Sequence, residues 1–126
     1  LTKWLDDGTL PPRAARIRVT GARAGTVVRD RFGNALGGLR TPFVDVPTAT
    51  FSPTDGSAHD TPLSGLCPLM GFSTPSGHTT LHALYPSHAA YVARVTREAT
   101  ELVRRGFWVA SDAAQVVRQA AASDVP

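Results

Sequence analysis

One serine lies in a sequence that is close to the pattern of a catalytic nucleophile. Ser73 belongs to the run Gly71-Phe72-Ser73-Thr74-Pro75, whose last residue alone departs from G-x-S-x-G. In that pattern, small residues on both sides allow a sharp turn between a strand and a helix. Here a proline replaces the second glycine, and no strand is predicted before it. The sequence therefore favours a non-nucleophilic role for Ser73.

Two histidines have the spacing of a metal site on one face of a helix. His78 and His82 are four residues apart, so a helix would place both imidazoles on the same side. Thr79 stands where H-E-x-x-H has its glutamate, and catalytic zinc needs three protein ligands. The remaining histidines, His59 and His88, bring no carboxylate or cysteine at a ligand spacing. We therefore expect exposed helix histidines and no metal site.

The carboxylates, glycines and cysteine also complete no catalytic pattern. The acidic residues considered, Asp45, Asp55, Asp60 and Glu98, are not paired by spacing as a glycosidase requires. No glycine run has the strand–loop–helix setting of a phosphate-binding loop. Cys67 is the single cysteine, so a disulfide would need a partner outside this chain. The sequence thus predicts no catalytic residues in this chain, and no cofactor.

The composition is that of a globular domain. Of the 126 residues, 42% are hydrophobic and 18% are charged, which excludes a disordered chain. No apolar stretch approaches the roughly 20 residues of a membrane helix, so no membrane partner is expected. The formal net charge is only +3, and the arginines are scattered through glycine- and proline-rich sequence. Nucleic-acid binders cluster their cations on one face, so no nucleic-acid partner is expected.

The chain divides into three predicted segments, of which residues 1–8 are the end of a helix. Leu1, Trp4 and Leu5 fall on one helix face, and Gly8 stands where a left-handed residue would end the helix. A domain rarely begins with two turns of an amphipathic helix. We therefore expect the chain to be a C-terminal piece of a longer protein.

Residues 9–77 are predicted to be an irregular segment that wraps around another body. They hold most of the 11 glycines and 10 prolines, and too few periodic apolar positions for a core of their own. Gly37 and Gly38 would allow positive φ or close backbone approach. The first predicted strand is expected to form a hairpin that turns at Gly33. Short strands are predicted at 26–29, 44–46 and 48–51.

Residues 78–126 are predicted to be helical. A short helix over 80–85 precedes a longer helix over 88–105, for which Ser87 is the N-cap. Ser111 is expected to cap a second helix, and the two longer helices to pack as an antiparallel pair. Ion pairs four residues apart are predicted on the outer face: Arg94–Glu98, Arg97–Glu101 and Glu101–Arg105.

The order of several motifs along the chain resembles that of one bacterial family. The motifs are W-x-x-x-G-x-x-P-P at Trp4–Pro12, RDRFGNALGGLRTPFVDVP at Arg29–Pro47, GLCPLMG at Gly65–Gly71 and LYPSHAAYVARV at Leu84–Val95, followed by RRGF and SDAAQVV. This succession resembles the C-terminal region of α/β-hydrolase domain-containing proteins. The resemblance implies an α/β fold, of which this segment is mostly irregular with a few short strands before a C-terminal helical pair.

The resemblance also implies a function for the parent protein. The family resembles other α/β hydrolases in using a serine, an acidic residue and a histidine, all upstream of the Trp4 motif. The implied partners are the remainder of the hydrolase body, as an N-terminal portion or a second chain, and a small ester or amide substrate. This segment would contribute structure or pocket wall. The sequence leaves localisation open, and export is our working guess.

Arg40 and Asp45 are the two residues considered for a role in a substrate pocket. They flank the Thr41-Pro42 turn, so their side chains would either pair with each other or face a substrate. Polar loop residues mostly serve local hydrogen bonding, which favours the pairing. For the whole chain, the alternative to a hydrolase portion is a stand-alone, non-catalytic binding or interaction domain or a small subunit.

Overall fold

The computed structural model describes residues 2–21, 25–53 and 71–126. Residues 54–70 of the predicted irregular segment, which include Asp55, His59, Asp60 and Cys67, lie outside these described residues. In chain order the elements are α1 (Thr2–Asp7), β1 (Val19–Thr20), β2 (Thr26–Val27), α2 (Pro42–Asp45), β3 (Ala49–Ser52), β4 (Phe72–Pro75), α3 (His78–Leu84), α4 (His88–Arg104) and α5 (Ala110–Ala121).

The helix end predicted at residues 1–8 is present as α1. Gly8 has a φ of 73°, and its N–H donates to the carbonyl of Trp4 at 3.2 Å. A glycine in this left-handed conformation ends a helix without the steric cost of a Cβ. The predicted apolar face is exposed, since Trp4 and Leu5 keep 50% and 76% of their surface accessible. The described residues therefore leave this face uncovered.

A hairpin follows, and it confirms most of the first strand prediction. β1 pairs with β2 in antiparallel register, with Val19 opposite Val27. Beyond β2, an isolated antiparallel bridge joins Arg29 to Ala35. The chain reverses between them at Gly33, whose φ is 79°. The turn is therefore where the Gly33 signal predicted it, whereas the sequence analysis did not predict β1.

The strand predicted at 44–46 is wrong, because these residues belong to the helical turn α2 or end it. Pro42 occupies the first turn of α2, where its fixed φ suits a helix and its missing N–H costs nothing. The carbonyl of Thr41 accepts from the N–H groups of Val44 and Asp45 at 2.8 and 3.0 Å. These local hydrogen bonds prevail over the β preference of the two valines.

The second small sheet places Ser73 in a regular strand. β3 and β4 are antiparallel, with Phe51 opposite Ser73 and Thr50 opposite Thr74. β3 confirms the strand predicted at 48–51 to within one residue. The sequence analysis did not predict β4, because its Gly and Pro flanks look like loop. The two sheets of the described residues therefore hold two strands each, and both are antiparallel.

All three predicted helices are present, although α3 begins two residues before the predicted 80–85 helix and one predicted cap is wrong. The Ser87 hydroxyl accepts from the N–H of Ala90 at 3.2 Å at the start of α4, and Gly106, with a φ of 78°, follows its end. The predicted Ser111 cap is wrong, because α5 begins at Ala110 with Val109 at its N-cap, two residues before Ser111. None of the described helices is long and apolar enough to cross a bilayer.

The hydrophobic core lies between the helices and the end of α2. Its buried members are Val46, Leu81, Tyr85, Tyr91, Val95 and Ala120. The His88 ring, at the start of α4, contacts carbonyl oxygens at the end of α5, which shows that the two helices run antiparallel. The predicted helical pair is therefore confirmed.

Candidate functional site

The guanidinium of Arg40 joins the hairpin turn to α2. Its Nε donates to Asp45 Oδ1 at 2.5 Å, and its Nη2 donates to Asp30 Oδ2 at 2.8 Å. Nη1 donates to the carbonyl of Ala35, and Nη2 also reaches the carbonyl of Val44 at 3.4 Å. Arg40 therefore holds the hairpin turn against α2. The Arg40–Asp45 contact favoured by the sequence is confirmed.

Asp30 is the second anchor of this arrangement, and the sequence analysis did not single it out. Its Oδ1 accepts from the backbone N–H groups of Phe32 and Asn34 at 2.9 and 3.0 Å, while its Oδ2 binds Arg40. Burial acts to raise the pKa of Asp30, but these hydrogen bonds outweigh burial and hold that pKa below its ordinary value. The carboxylate is therefore ionised at neutral pH.

Asn34 connects the turn to the second sheet. Its side chain is almost completely buried, with its Nδ2 donating to the carbonyl of Ala49 at 3.2 Å and its Oδ1 accepting from the N–H of Phe51 at 2.9 Å. A buried amide is stable only when its polar atoms are satisfied in this way. We call Asp30, Asn34, Arg40 and Asp45 the Arg40 cluster.

The cation of the Arg40 cluster is paired with two carboxylates of the same cluster. Partial burial acts to lower the pKa of Arg40, but the hydrogen bonds with Asp45 and Asp30 outweigh it and raise the pKa. The guanidinium is therefore a permanent cation between two carboxylates. Its charge and most of its donors are already used, so the cluster as it stands is suited to fixing loop geometry more than to attracting an anionic ligand.

A groove of about 410 Å³ lies beside the cluster. This volume is in the range of small-molecule pockets. Arg40 and Asn34 lie along it together with apolar side chains, which are those of Ile17, Val27, Leu39, Val44 and Phe51. Of the predicted pair, Arg40 lines this cavity. A substrate-pocket role for Arg40 and Asp45 remains a prediction.

Gly37 shows why the chain can approach itself so closely at this groove. Its φ is 80°, and a Cβ at this position would stand 2.1 Å from the carbonyl oxygen of Arg16. The neighbouring Gly38 also has positive φ, at 71°. Both expectations for this glycine pair, positive φ and close backbone approach, are therefore confirmed.

Of the other residues considered for chemistry, those that the structure describes do not assemble into a site. Ser73 is exposed within β4, and a regular antiparallel strand lacks the strand-to-helix turn of a nucleophile elbow. His78 and His82 are exposed on α3. Among the residues that the structure describes, no three histidine, cysteine or acidic side chains are grouped to hold a metal.

Tyr85 also stabilises the fold, although the sequence analysis treated it only as the end of a helix. It is fully buried, its hydroxyl donates to the carbonyl of Pro47 at 3.0 Å, and its ring meets Tyr91 edge-on with centroids 5.1 Å apart. Burial raises the pKa of Tyr85 to about 12. Tyr85 therefore fastens the segment after α2 to the helical core.

Comparison with known proteins identifies the family of this chain. No curated protein and no solved structure matches the chain. The sequence model of the alpha/beta hydrolase domain, by contrast, matches residues 1–118, which is nearly the whole chain. The match includes the Arg40 cluster, both small sheets, α4 and α5 as far as Arg118. The chain therefore belongs to the alpha/beta hydrolase domain family.

Proposed function

We propose that this chain is the C-terminal portion of a serine-dependent α/β hydrolase that acts on carboxylic esters. The observation that carries the proposal is the family match over residues 1–118. In α/β hydrolases the nucleophile stands on a strand-to-helix turn at the edge of the central sheet. The described residues form only two-stranded antiparallel sheets. We therefore assign the serine, the acid and the histidine to polypeptide outside this chain.

The chemistry proposed for the parent protein is acyl transfer followed by hydrolysis. The histidine would take the proton of the serine hydroxyl as that oxygen attacks the ester carbonyl, and backbone N–H groups would hold the oxyanion. The alcohol leaves with the proton that the histidine returns. Water then attacks the acyl-enzyme by the same route, releasing the acid and regenerating the serine.

In this proposal the chain's own residues supply packing surface and pocket wall. Several large apolar side chains of the first fifty residues are exposed, among them Trp4 and Ile17, which keep 50% and 54% of their surface accessible. Apolar surface of this kind gains free energy when another body covers it. We propose that the hydrolase body covers part of it, and that the Arg40 cluster holds the remaining wall in place.

Ester hydrolysis by two polypeptides tests where the nucleophile lies. Short p-nitrophenyl esters would be offered to the 126-residue chain alone and to a longer polypeptide that carries it. We expect activity only from the longer polypeptide. A fluorophosphonate would label the active serine, and peptide mass spectrometry would locate the label.

The control for this experiment is Ser73→Ala, which should leave the activity and labelling of the longer polypeptide unchanged. Label on Ser73, or equal activity from the isolated chain, would contradict the assignment of the nucleophile to another part of the protein. Absence of ester hydrolysis and of labelling in the longer polypeptide would contradict the proposed reaction itself.

The pocket role of Arg40 needs a separate measurement, because the same residue also stabilises the fold. Arg40→Met in the active polypeptide would be compared with Arg31→Met, which changes an exposed arginine stacked on Phe32. If Arg40 borders the substrate pocket, KM should change between short and long acyl esters in the Arg40 variant only. A loss of activity that merely follows the folded fraction, equal for all esters, would assign Arg40 a structural role alone.

A further inference from the structure

One arginine beside the groove keeps hydrogen-bond donors that the protein itself does not use. Arg29 lines the groove of about 410 Å³ next to the Arg40 cluster. Its Nη1 donates to the carbonyl oxygens of Gly33 and Phe51, at 2.6 and 3.4 Å. Within the described part of the chain, its Nε and Nη2 donate to no protein acceptor, and Arg29 forms no ion pair. Since Phe51 also lines the groove, the Arg29 guanidinium lies at the groove wall with these donors free.

The charges around the groove favour an anionic ligand. The described residues 9–21 and 25–53 hold six arginines against two aspartates, an excess of four positive charges. Both of these aspartates, Asp30 and Asp45, already bind Arg40. No acidic side chain is among the described residues that line the groove. A guanidinium keeps its charge throughout the pH range in which proteins fold, so Arg29 offers an uncompensated cation at this wall.

The free donors of Arg29 have the geometry that binds a carboxylate. The Nε–H and one N–H of Nη2 are parallel along one edge of a guanidinium, so together they can hold both oxygens of a carboxylate. The single positive charge also matches the single negative charge of a carboxylate. The two carbonyl contacts of Nη1 fix the plane of the group before any ligand arrives, which lowers the entropy cost of binding.

The rest of the groove wall suits a hydrocarbon chain. Ile17, Val27, Leu39 and Val44 line the groove, and Ile17 and Leu39 keep 54% and 40% of their surface accessible. An alkyl chain that covers such side chains removes apolar surface from water, which is favourable. A mostly apolar lining with a few polar groups that fix orientation is typical of small-molecule sites.

We propose that this groove binds a carboxylate that carries an alkyl chain. Arg29 holds the carboxylate through Nε and Nη2, and the apolar side chains of the groove hold the chain. Arg40 has its cation paired within its own cluster and keeps the wall in place. Ester hydrolysis would release an acid of this class, but the inference concerns binding alone and does not depend on the proposed hydrolase function.

Octanoate and octanol test the proposal, because they share a chain length and differ in charge. Calorimetric titration of the whole protein should show octanoate binding more tightly than octanol. Arg29→Met should weaken octanoate binding roughly five- to tenfold, a modest factor because the arginine is exposed, and should leave octanol binding nearly unchanged. High salt should weaken the binding of octanoate but not that of octanol.

Arg31→Met is the matched control, because Arg31 is an exposed arginine of the same turn that does not line the groove, and it should leave both affinities unchanged. NMR of the unsubstituted protein gives a reading that depends on no variant. Octanoate should shift the amide signals of Ala35, Leu39 and Phe51, which line the groove. Shifts confined to other regions, equal affinity for octanol and octanoate, or equal losses of octanoate binding in the two arginine variants would overturn the proposal. An equal loss for both ligands in Arg29→Met would also overturn it, since that pattern reports a distorted groove and not a lost cation.

Discussion

Residues 2–53 and residues 78–126 are held together by different kinds of interaction. In the first region, the most buried side chain is the amide of Asn34, the ion pairs of Arg40 lie in the same cluster, and the buried apolar Val46 belongs to the core shared with the helices. In the second, a continuous set of apolar side chains fills the space between helices, and the buried polar group is the Tyr85 hydroxyl. One region thus depends on polar geometry and the other on hydrophobic burial.

This difference indicates which region would gain stability by packing against another part of a larger protein. The helical region buries most of its apolar face between its own helices and against Val46, as amphipathic helices do. The first region leaves large apolar side chains such as Leu5, Ile17 and Phe43 at least half exposed. Hydrogen bonds alone contribute little net free energy per bond, so such a region gains much from packing against a partner. The comparison therefore agrees with the proposed place of the chain in a larger hydrolase.

The largest effect is expected from a cavity in the helical region. Leu102 is 3% exposed in α4, so Leu102→Ala should lower the free energy of unfolding by about 3 kcal/mol, through lost burial and the cavity left behind. Urea unfolding followed by circular dichroism would measure this. The same substitution at Leu39, which is 40% exposed, should cost clearly less. Equal losses at the two positions would remove the contrast between the regions.

A smaller effect is expected from removing the cation of the Arg40 cluster. Arg40→Met keeps much of the side-chain length but leaves Asp30 and Asp45 without their ion-pair partner. We expect a loss of about 2 kcal/mol, since the Asp30 and Arg40 side chains are only 14% and 21% exposed. Exchange of the Asn34 and Phe51 amides would localise the loss to this region. Arg31→Met is the control and should have little effect, because Arg31 is exposed and its guanidinium lies over the Phe32 ring, a contact that contributes little at an exposed site.

Acid should weaken the same cluster. The folded-state pKa of Asp30 is lowered, so its contribution to stability is present above the ordinary aspartate pKa and is lost as the pH falls through the folded value. Arg40→Met removes a main cause of that lowering. The variant should therefore lose less stability than the unsubstituted protein between pH 5 and pH 2, in urea titrations at each pH. An unchanged acid response would show that Arg40 does not set the pKa of Asp30.

Tyr85 allows a test of the junction between the two regions. Tyr85→Phe removes the hydrogen bond to Pro47 and should cost about 1 kcal/mol at neutral pH. Because the pKa of Tyr85 is about 12 against an ordinary value of 10.0, the unsubstituted protein should lose stability as the pH rises from 10 to 12. The variant should lose less over that interval. Tyr91→Phe, measured in parallel, separates the two phenols in an absorbance titration.

The parts of this fold that the sequence predicted are those governed by local signals. Gly8 ended its helix, and Ser87 capped α4, because each acts on backbone groups within a few residues. α2 was missed because two valines suggested a strand, while the turn depends on hydrogen bonds to Thr41. In the site, the Asp30–Arg40 ion pair spans ten residues and depends on how the hairpin turn meets α2. The only sequence signal that could have suggested a role for Asp30 is its position four residues before Asn34, in a turn that contains Gly33.

The ion pairs that residue spacing predicted on the outer face of α4 are wrong, because the charged side chains pair with other partners. Glu101 binds Arg104, with Nε–Oε2 at 2.7 Å and Nη2–Oε1 at 2.6 Å, in place of the Arg97 and Arg105 pairs predicted at four residues' distance. Glu98 lies 3.6 Å from Arg97 rather than pairing with Arg94. On a helix, residues three and four apart are both neighbours, so spacing alone cannot choose between rotamers of a flexible arginine.

The smallest effect is therefore expected from Glu101→Gln. The hydrogen bond from Arg104 lowers the pKa of Glu101, yet the two side chains are 40% and 72% exposed, and water and salt screen such a pair. The free energy of unfolding should stay within experimental error of the unsubstituted protein, at low and high salt alike. Arg40→Met serves as the comparison, since it breaks an ion pair that is largely shielded from solvent. If Glu101→Gln cost as much as Arg40→Met, the stability of the helical region would also depend on charge, and the division between a polar and an apolar region would fail.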